Sequence, residues 1–154
     1  VKSKLIIVVL FVIIAGLLYK FVIAGDTRPV PNERIAIELS PAERAQQLAQ
    51  MRDYELAVQQ IVQGLVKNDK RQIEGAAIPV GSKAMKRIHI TTMAKLPYEY
   101  KQATIGMHRD FDRIAIMAHQ GKDAKTIQMK LADSMNRCIS CHSSYKFPAH
   151  PPAK

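Results

Sequence analysis

The most marked pattern along the chain is an unbroken apolar run from Leu5 to Tyr19, preceded by Lys2 and Lys4 and resumed after Lys20 as Phe21-Val22-Ile23-Ala24. Counted through Ala24, it has about the length of a bilayer-spanning helix, roughly 20 residues. Lys20 near its end can snorkel to the interface beside Tyr19 as an interfacial anchor. Positive charge ahead of the run puts the N-terminus on the cytoplasmic side and the rest of the chain outside, in a bacterial-type periplasm. A cleaved signal peptide is the competing reading, because Val22-Ile23-Ala24 has the small-residue spacing of a cleavage site and the run before Lys20 is short enough for an h-region. Lys20 sits awkwardly just before such a site, which favours an uncleaved single-pass anchor over residues 1–25.

Beyond the run the period changes. Residues 26–40 read as a linker, since Asp26-Thr27-Arg28-Pro29-Val30-Pro31-Asn32 is polar, proline-punctuated and without periodicity. Ser40-Pro41-Ala42-Glu43 then supplies an N-cap, a proline at N1 and a glutamate at N3, a strong helix start. The spacing predicts a first helix over 41–66, with Leu48, Met51, Tyr54, Val58, Ile61 and Leu65 on one apolar stripe. Asn68-Asp69 ends it and can cap a second helix from Lys70, with Ile73, Ala77, Val80, Ala84 and Ile88 on one face. Gly75, Pro79 and Gly81 kink or weaken that helix. Residues 89–96 form a longer connection. A third helix spans 97–120, with Ala103, Met107, Phe111, Ile114, Ala115 and Ala118 inward. Gly121-Lys122-Asp123 stops it and caps a fourth, whose inner face carries Ile127, Leu131, Ser134, Met135 and Cys138. No segment alternates like a half-buried strand.

Four amphipathic helices with mostly short connections define an all-α class: an N-terminal transmembrane helix, then an antiparallel four-helix bundle over residues 41–147, then a tail over 148–154. About 110 residues follow the linker, enough for one domain with a modest core. The net charge of +10 comes from 23 basic and 13 acidic residues. The basic residues are scattered, so they suit steering of acidic partners or contact with lipid head groups as well as plain solubility. No recognition motif supports nucleic-acid binding.

Chemistry concentrates late in the chain. The only two cysteines lie in Cys138-Ile139-Ser140-Cys141-His142, the attachment signature of a c-type haem. Two thiols three residues apart form thioethers to the two vinyl groups of one porphyrin, and the adjacent imidazole reaches the iron. A thioredoxin-like redox pair would want the motif after a strand in an α/β pattern, which is missing here. A zinc site would want four ligands, with only His150 as a distant addition. Cys138 and His142, four apart, share one side of the fourth helix.

The segment Cys138-Ile139-Ser140-Cys141-His142-Ser143-Ser144-Tyr145-Lys146 resembles the C-x-x-C-H-x-x-Tyr-Arg ending of the cytochrome c′ family, and Lys67-Asn68-Asp69 and Gly121-Lys122-Asp123 sit where that family places turns. The resemblance covers residues 41–147. It implies one covalently attached haem c on Cys138 and Cys141, with His142 as the proximal iron ligand and Tyr145 and Lys146 beside the cofactor. The anchor departs from the family pattern, and so does Lys146 in place of arginine. By the resemblance, the residue of the first helix facing the sixth coordination position decides the branch. Met51 is the expected distal ligand, and core filling is its alternative role. His108 is the rival ligand, with a buried, hydrogen-bonded role as its simpler reading. Asp110 and Asp112 read as solvated helix-face charges, and His89, His119 and His150 as loop or surface residues.

The expected function is single-electron transfer without enzymatic catalysis, at the periplasmic side of a bacterial inner membrane. The expected partners are redox proteins, including other subunits of a membrane respiratory complex. The alternative is binding of nitric oxide or carbon monoxide at an open distal site. A homodimer is implied by the resemblance alone.

Overall fold

The computed structural model describes residues 2–30 and 34–149, and these are mostly helical. Helix α1 (Lys2–Leu18) continues through a π-type turn over Tyr19–Ala24. The stretch Ser3–Ala24 is 22 residues long and contains an 18-residue window of mean hydropathy 2.9, none of it buried. By length and composition it can cross a membrane, and a signal sequence would satisfy the same criterion.

The linker predicted over 26–40 is partly ordered into strands. Strand β1 (Thr27–Pro29) pairs antiparallel with β2 (Ile35–Ile37). Ala36 and Ile37 are fully buried. These strands are three residues long, too short to show an alternation, and Ile35-Ala36-Ile37 reads as an apolar run that periodicity cannot assign. The other notable strand partner comes from the far end of the chain, as described below.

Helix α2 (Pro41–Val66) begins on a reciprocal cap: Ser40 Oγ accepts from the Glu43 N–H at 3.3 Å, and the Glu43 carboxylate accepts from the Ser40 N–H at 2.7 Å. Glu43 also accepts from Lys95 Nζ at 2.6 Å. Asn68 takes the left-handed conformation (φ 52°) that ends α2, and Asp69 caps α3 (Lys70–Ala77). As Pro79 and Gly81 predict, α3 gives way to tighter 3₁₀ turns over Ile78–Val80 and Ser82–Arg87. The expected connection at 89–96 contains a short helix, α4 (Ile90–Lys95), capped by exposed His89. Helix α5 (Tyr98–His119) follows, and α6 (Ala124–Ser144) starts on the Asp123 cap. Strand β3 (Tyr145–Lys146) then pairs parallel with β2, Ile35 opposite Tyr145.

The helices α2, α3, α5 and α6 pack side by side in chain order, while α2 and α6 touch far less. The main core lies at the end remote from α1, around Ile61, Ile73, Ala77, Phe111, Ile114, Ile127 and Leu131. A smaller cluster of Ile37, Leu96 and Tyr100 sits near α1, with Leu39, Cys141, Tyr145 and Phe147 against it. Burial along the stripes follows this division. In α2 only Ile61 of the predicted stripe is fully buried, while Leu48, Met51, Tyr54 and Val58 are half-buried. These four face the gap between α2 and α6.

Candidate functional site

The last turns of α6 carry Cys138, Cys141 and His142, at positions i, i+3 and i+4 on one helix face. They border a cavity of about 590 Å³ in the α2–α6 gap. Helix α2 contributes Met51, Tyr54 and Val58 to its wall, and α5 contributes Tyr100, Met107 and Phe111. A smaller space of about 140 Å³ shares Met51, Cys141 and His142 and runs on to Tyr145 and Lys146 of β3. Met51, Cys138, Cys141, His142, Tyr145 and Lys146 therefore gather around one connected hollow, although they span most of the domain's length. The size and mostly apolar lining are those of a small-molecule or cofactor site.

Both cysteines are free thiols and half-buried. Cys138 lies 4.0 Å from the Met107 sulfur. Burial raises both thiol pKa values; Cys141, which also feels Cys138, is pushed up to about 11. A thioredoxin-like pair needs the opposite, a thiolate stabilised at a helix N-terminus. Here the motif occupies the C-terminal end of α6, where the helix dipole disfavours an anion. Among the described residues no three His, Cys, Asp or Glu side chains are grouped to hold a metal ion. The one further candidate for a zinc site, His150, lies outside the described residues.

His108 does not reach the hollow as a ligand. It is fully buried, its Nδ1 is 2.7 Å from the Val80 carbonyl oxygen, and its Nε2 is 3.0 Å from the Tyr54 hydroxyl. A carbonyl only accepts, so Nδ1 carries the proton and Nε2 accepts from Tyr54. Both nitrogens are thereby engaged, and Tyr54, stacked on Phe111, is held as part of the cavity wall.

Two acidic residues differ from the sequence reading. Asp110 is 2% exposed. Its carboxylate meets Lys130 at 2.6 Å, Arg137 at 2.8 Å and Arg113 at 3.6 Å. Burial alone would raise its pKa; the hydrogen bonds and charges of Lys130 and Arg137 outweigh that and hold it below the ordinary carboxylate value. Asp112 accepts from the Ser82 N–H at 3.1 Å. Two residues apart, they project to different sides of α5: α6 covers Asp110, and the 3₁₀ turn at Ser82 covers Asp112. Arg137 immediately precedes Cys138, so Asp110 braces the helix at the motif. Gly106 makes room for this: a Cβ there would lie 2.8 Å from the Arg137 guanidinium.

Gln47 was not visible as a site residue. It sits one turn before Met51, lines the cavity, and is 3% exposed. Its Nε2 has no hydrogen-bond partner among the described residues. A buried amide donor left over in an apolar wall costs about 1–3 kcal/mol unless an acceptor enters the cavity. Its only signal in the sequence was a polar residue immediately before the apolar stripe, four positions ahead of Met51. Comparison of the chain with protein-family models, curated proteins and solved structures finds no match.

Proposed function

We propose that this chain is a membrane-anchored c-type cytochrome that passes single electrons, its α2, α3, α5 and α6 forming an antiparallel four-helix bundle of the cytochrome c′ kind around one haem c. The observation that carries the reading is the convergence of the chain's only two cysteines, His142 and Met51 on one apolar hollow. In this reading Cys138 and Cys141 hold the porphyrin through thioethers, His142 is the proximal ligand and Met51 the distal one. Gln47 is the donor that fits the cofactor's acidic side chains. When bound, the group supplies a one-electron couple whose potential depends on the axial ligands and on burial. The chain's residues do the rest. Met107, Phe111 and Val58 exclude water from the cavity. The Tyr54–His108–Val80 hydrogen bonds fix one wall, and Asp110 through Arg137 fixes the start of the attachment segment.

The apolar run is the uncleaved anchor in this reading. Its end is built into the domain: Lys101 Nζ donates to the carbonyls of Phe21 and Val22 at 2.8 and 3.3 Å, and Lys20 pairs with Asp26 at 2.6 Å. Cleavage after Ala24 would remove all three groups. The haem domain would then stand on the periplasmic side of a bacterial inner membrane.

The visible spectrum of the dithionite-reduced protein, before and after carbon monoxide, tests the assignment. Sharp, separate α and β bands that ignore carbon monoxide are expected for a closed six-coordinate site. A broad band that shifts with carbon monoxide would assign the protein to gas binding and leave Met51 as packing. No haem band at all would overturn both.

A further inference from the structure

The junction between the apolar helix and the domain sets where the cavity stands. Gly25 is buried at φ 68°, and a Cβ on it would overlap the Lys95 carbonyl oxygen and lie 2.8 Å from Pro97. Only glycine lets the chain pass so close to the start of α5. Asp26 N–H then donates to the Lys95 carbonyl at 2.7 Å, and Glu38 N–H donates to the Asp26 carbonyl at 2.8 Å. With Lys101 on the carbonyls of Phe21 and Val22, the end of the apolar helix is fastened both to the end of α4 and to α5. This is a collar rather than a free tether.

The cavity lies close above that collar. Along α5 its lining residues run from Tyr100 to Phe111. At 1.5 Å per helical residue they stand roughly 3 to 20 Å from Tyr98, where α5 meets the collar. Along α6, Cys141 and His142 precede the end of the helix at Ser144 by less than one turn, and β3 carries the chain back to the same end. His142 and Met135 are exposed at the mouth of the cavity between α2 and α6.

We infer that the electron partner is an integral membrane protein, engaged at the mouth of the α2–α6 gap close to the bilayer, and not a freely diffusing carrier. This rests on the cytochrome and anchor readings above. A soluble partner would find this mouth shadowed by the membrane, whereas a neighbour held in the same membrane meets it at fixed height and orientation. A haem held by Cys138, Cys141, His142 and Met51 would supply the one-electron couple, taking one electron from a reduced membrane partner or returning one to an oxidised partner, with no bond made or broken.

The test lifts the domain. Three Glu-Ala-Ala-Ala-Lys repeats inserted between Gly25 and Asp26 form a semi-rigid spacer of about 22 Å. A second variant, Lys20→Ala with Lys101→Ala, loosens the collar without lengthening the chain. In vesicles bearing a head-group fluorophore, energy transfer to the haem reads the height directly, and it should be strong in the native chain and weak with the spacer. In washed membranes of the source cell, haem reduction by respiratory substrate should fall about tenfold with the spacer, as a docked site becomes a displaced one. Reduction by ascorbate should stay unchanged, and the loosened variant should fall between. Membrane-driven reduction that is unaffected or faster with the spacer, or that requires the soluble periplasmic fraction, would overturn the inference. A chain without a haem absorption band would instead overturn the cytochrome reading beneath it.

Discussion

Gln47→Leu gives a prediction whose sign depends on the cofactor. In the chain without cofactor, Gln47 is 3% exposed and its Nε2 has no partner. Leucine is one bond shorter but of comparable bulk and leaves no buried donor, so the substitution should stabilise that form by about 1–3 kcal/mol, the usual penalty of an unsatisfied amide. The cofactor-free form is obtained with Cys138→Ala and Cys141→Ala, which remove both attachment points. On the proposed reading, the loaded protein would give the same amide an anionic acceptor within the cavity, and a hydrogen bond to a charged group contributes about 1.5–3 kcal/mol. There Gln47→Leu should destabilise by a similar amount. Denaturant titrations of the four proteins in detergent, followed by circular dichroism, give the two differences. Opposite signs are expected. The same sign in both backgrounds would refute the claim that Gln47 is kept for the cofactor, and would make it an ordinary wall residue.

The remaining expectations concern the ligand, the brace and the acid limb. Met51→Ala should turn a low-spin reduced spectrum into a high-spin one that binds carbon monoxide; an unchanged spectrum would remove Met51 from the iron. Asp110→Asn should cost about 2 kcal/mol in denaturant titration, since it strands Lys130, which is 20% exposed, while Arg113 and Arg137 can turn to water. Burial would raise the Glu43 pKa, but Lys95 and the Ser40 backbone hydrogen bond bring it down to about 2 from 4.5. A depressed carboxylate pKa stabilises fully above the unfolded value and loses that contribution as pH falls through the folded one. Wild type should therefore exceed Glu43→Gln by about 2–3 kcal/mol at pH 7 and converge with it between pH 4.5 and 2, a convergence that pH-resolved melts would show or deny.

The helices were legible because their signals are local. Ser40, Asp69 and Asp123 cap the three helices whose starts they mark, and Pro79 with Gly81 breaks α3 as its chemistry requires. The attachment motif was legible for the same reason, being five consecutive residues. What escaped depends on which segments meet across the fold. Ile35-Ala36-Ile37 becomes the central strand of three because, besides Thr27–Pro29, Tyr145-Lys146 over a hundred residues away pairs with it. Asp110 looked solvated because its cations stand on α6 as well as on its own helix. The simpler reading of His108, buried and hydrogen-bonded, is what the structure shows, but its partners Val80 and Tyr54 come from two other elements and had no local signal.

The division of the domain into a packed end and a hollow end explains why the site is where it is. Remote from α1, Ile61, Ile73, Phe111, Ile114, Ile127 and Leu131 bury one another, and burial of that kind holds helices together without help. Toward α1, the α2 stripe from Leu48 to Val58 and the inner face of α6 turn toward each other but do not meet. A sequence that needed only a helical fold would fill that gap with larger side chains, since close packing is the cheaper arrangement. Here Tyr54, Tyr100 and Phe111 form part of the wall, yet the space between stays open because small residues (Ala103, Thr104 and the two cysteines) and the flexible Met51, Met107 and Met135 make up much of the rest. The β1–β2–β3 sheet and the Glu43–Lys95 pair tie the same end from outside. The α2–α6 gap thus lies at the end of the domain that the sheet and this pair fasten, away from the packed core. On the proposed reading, a gap so placed and flanked by both cysteines is a mould for a flat apolar haem, which would complete the core at this end.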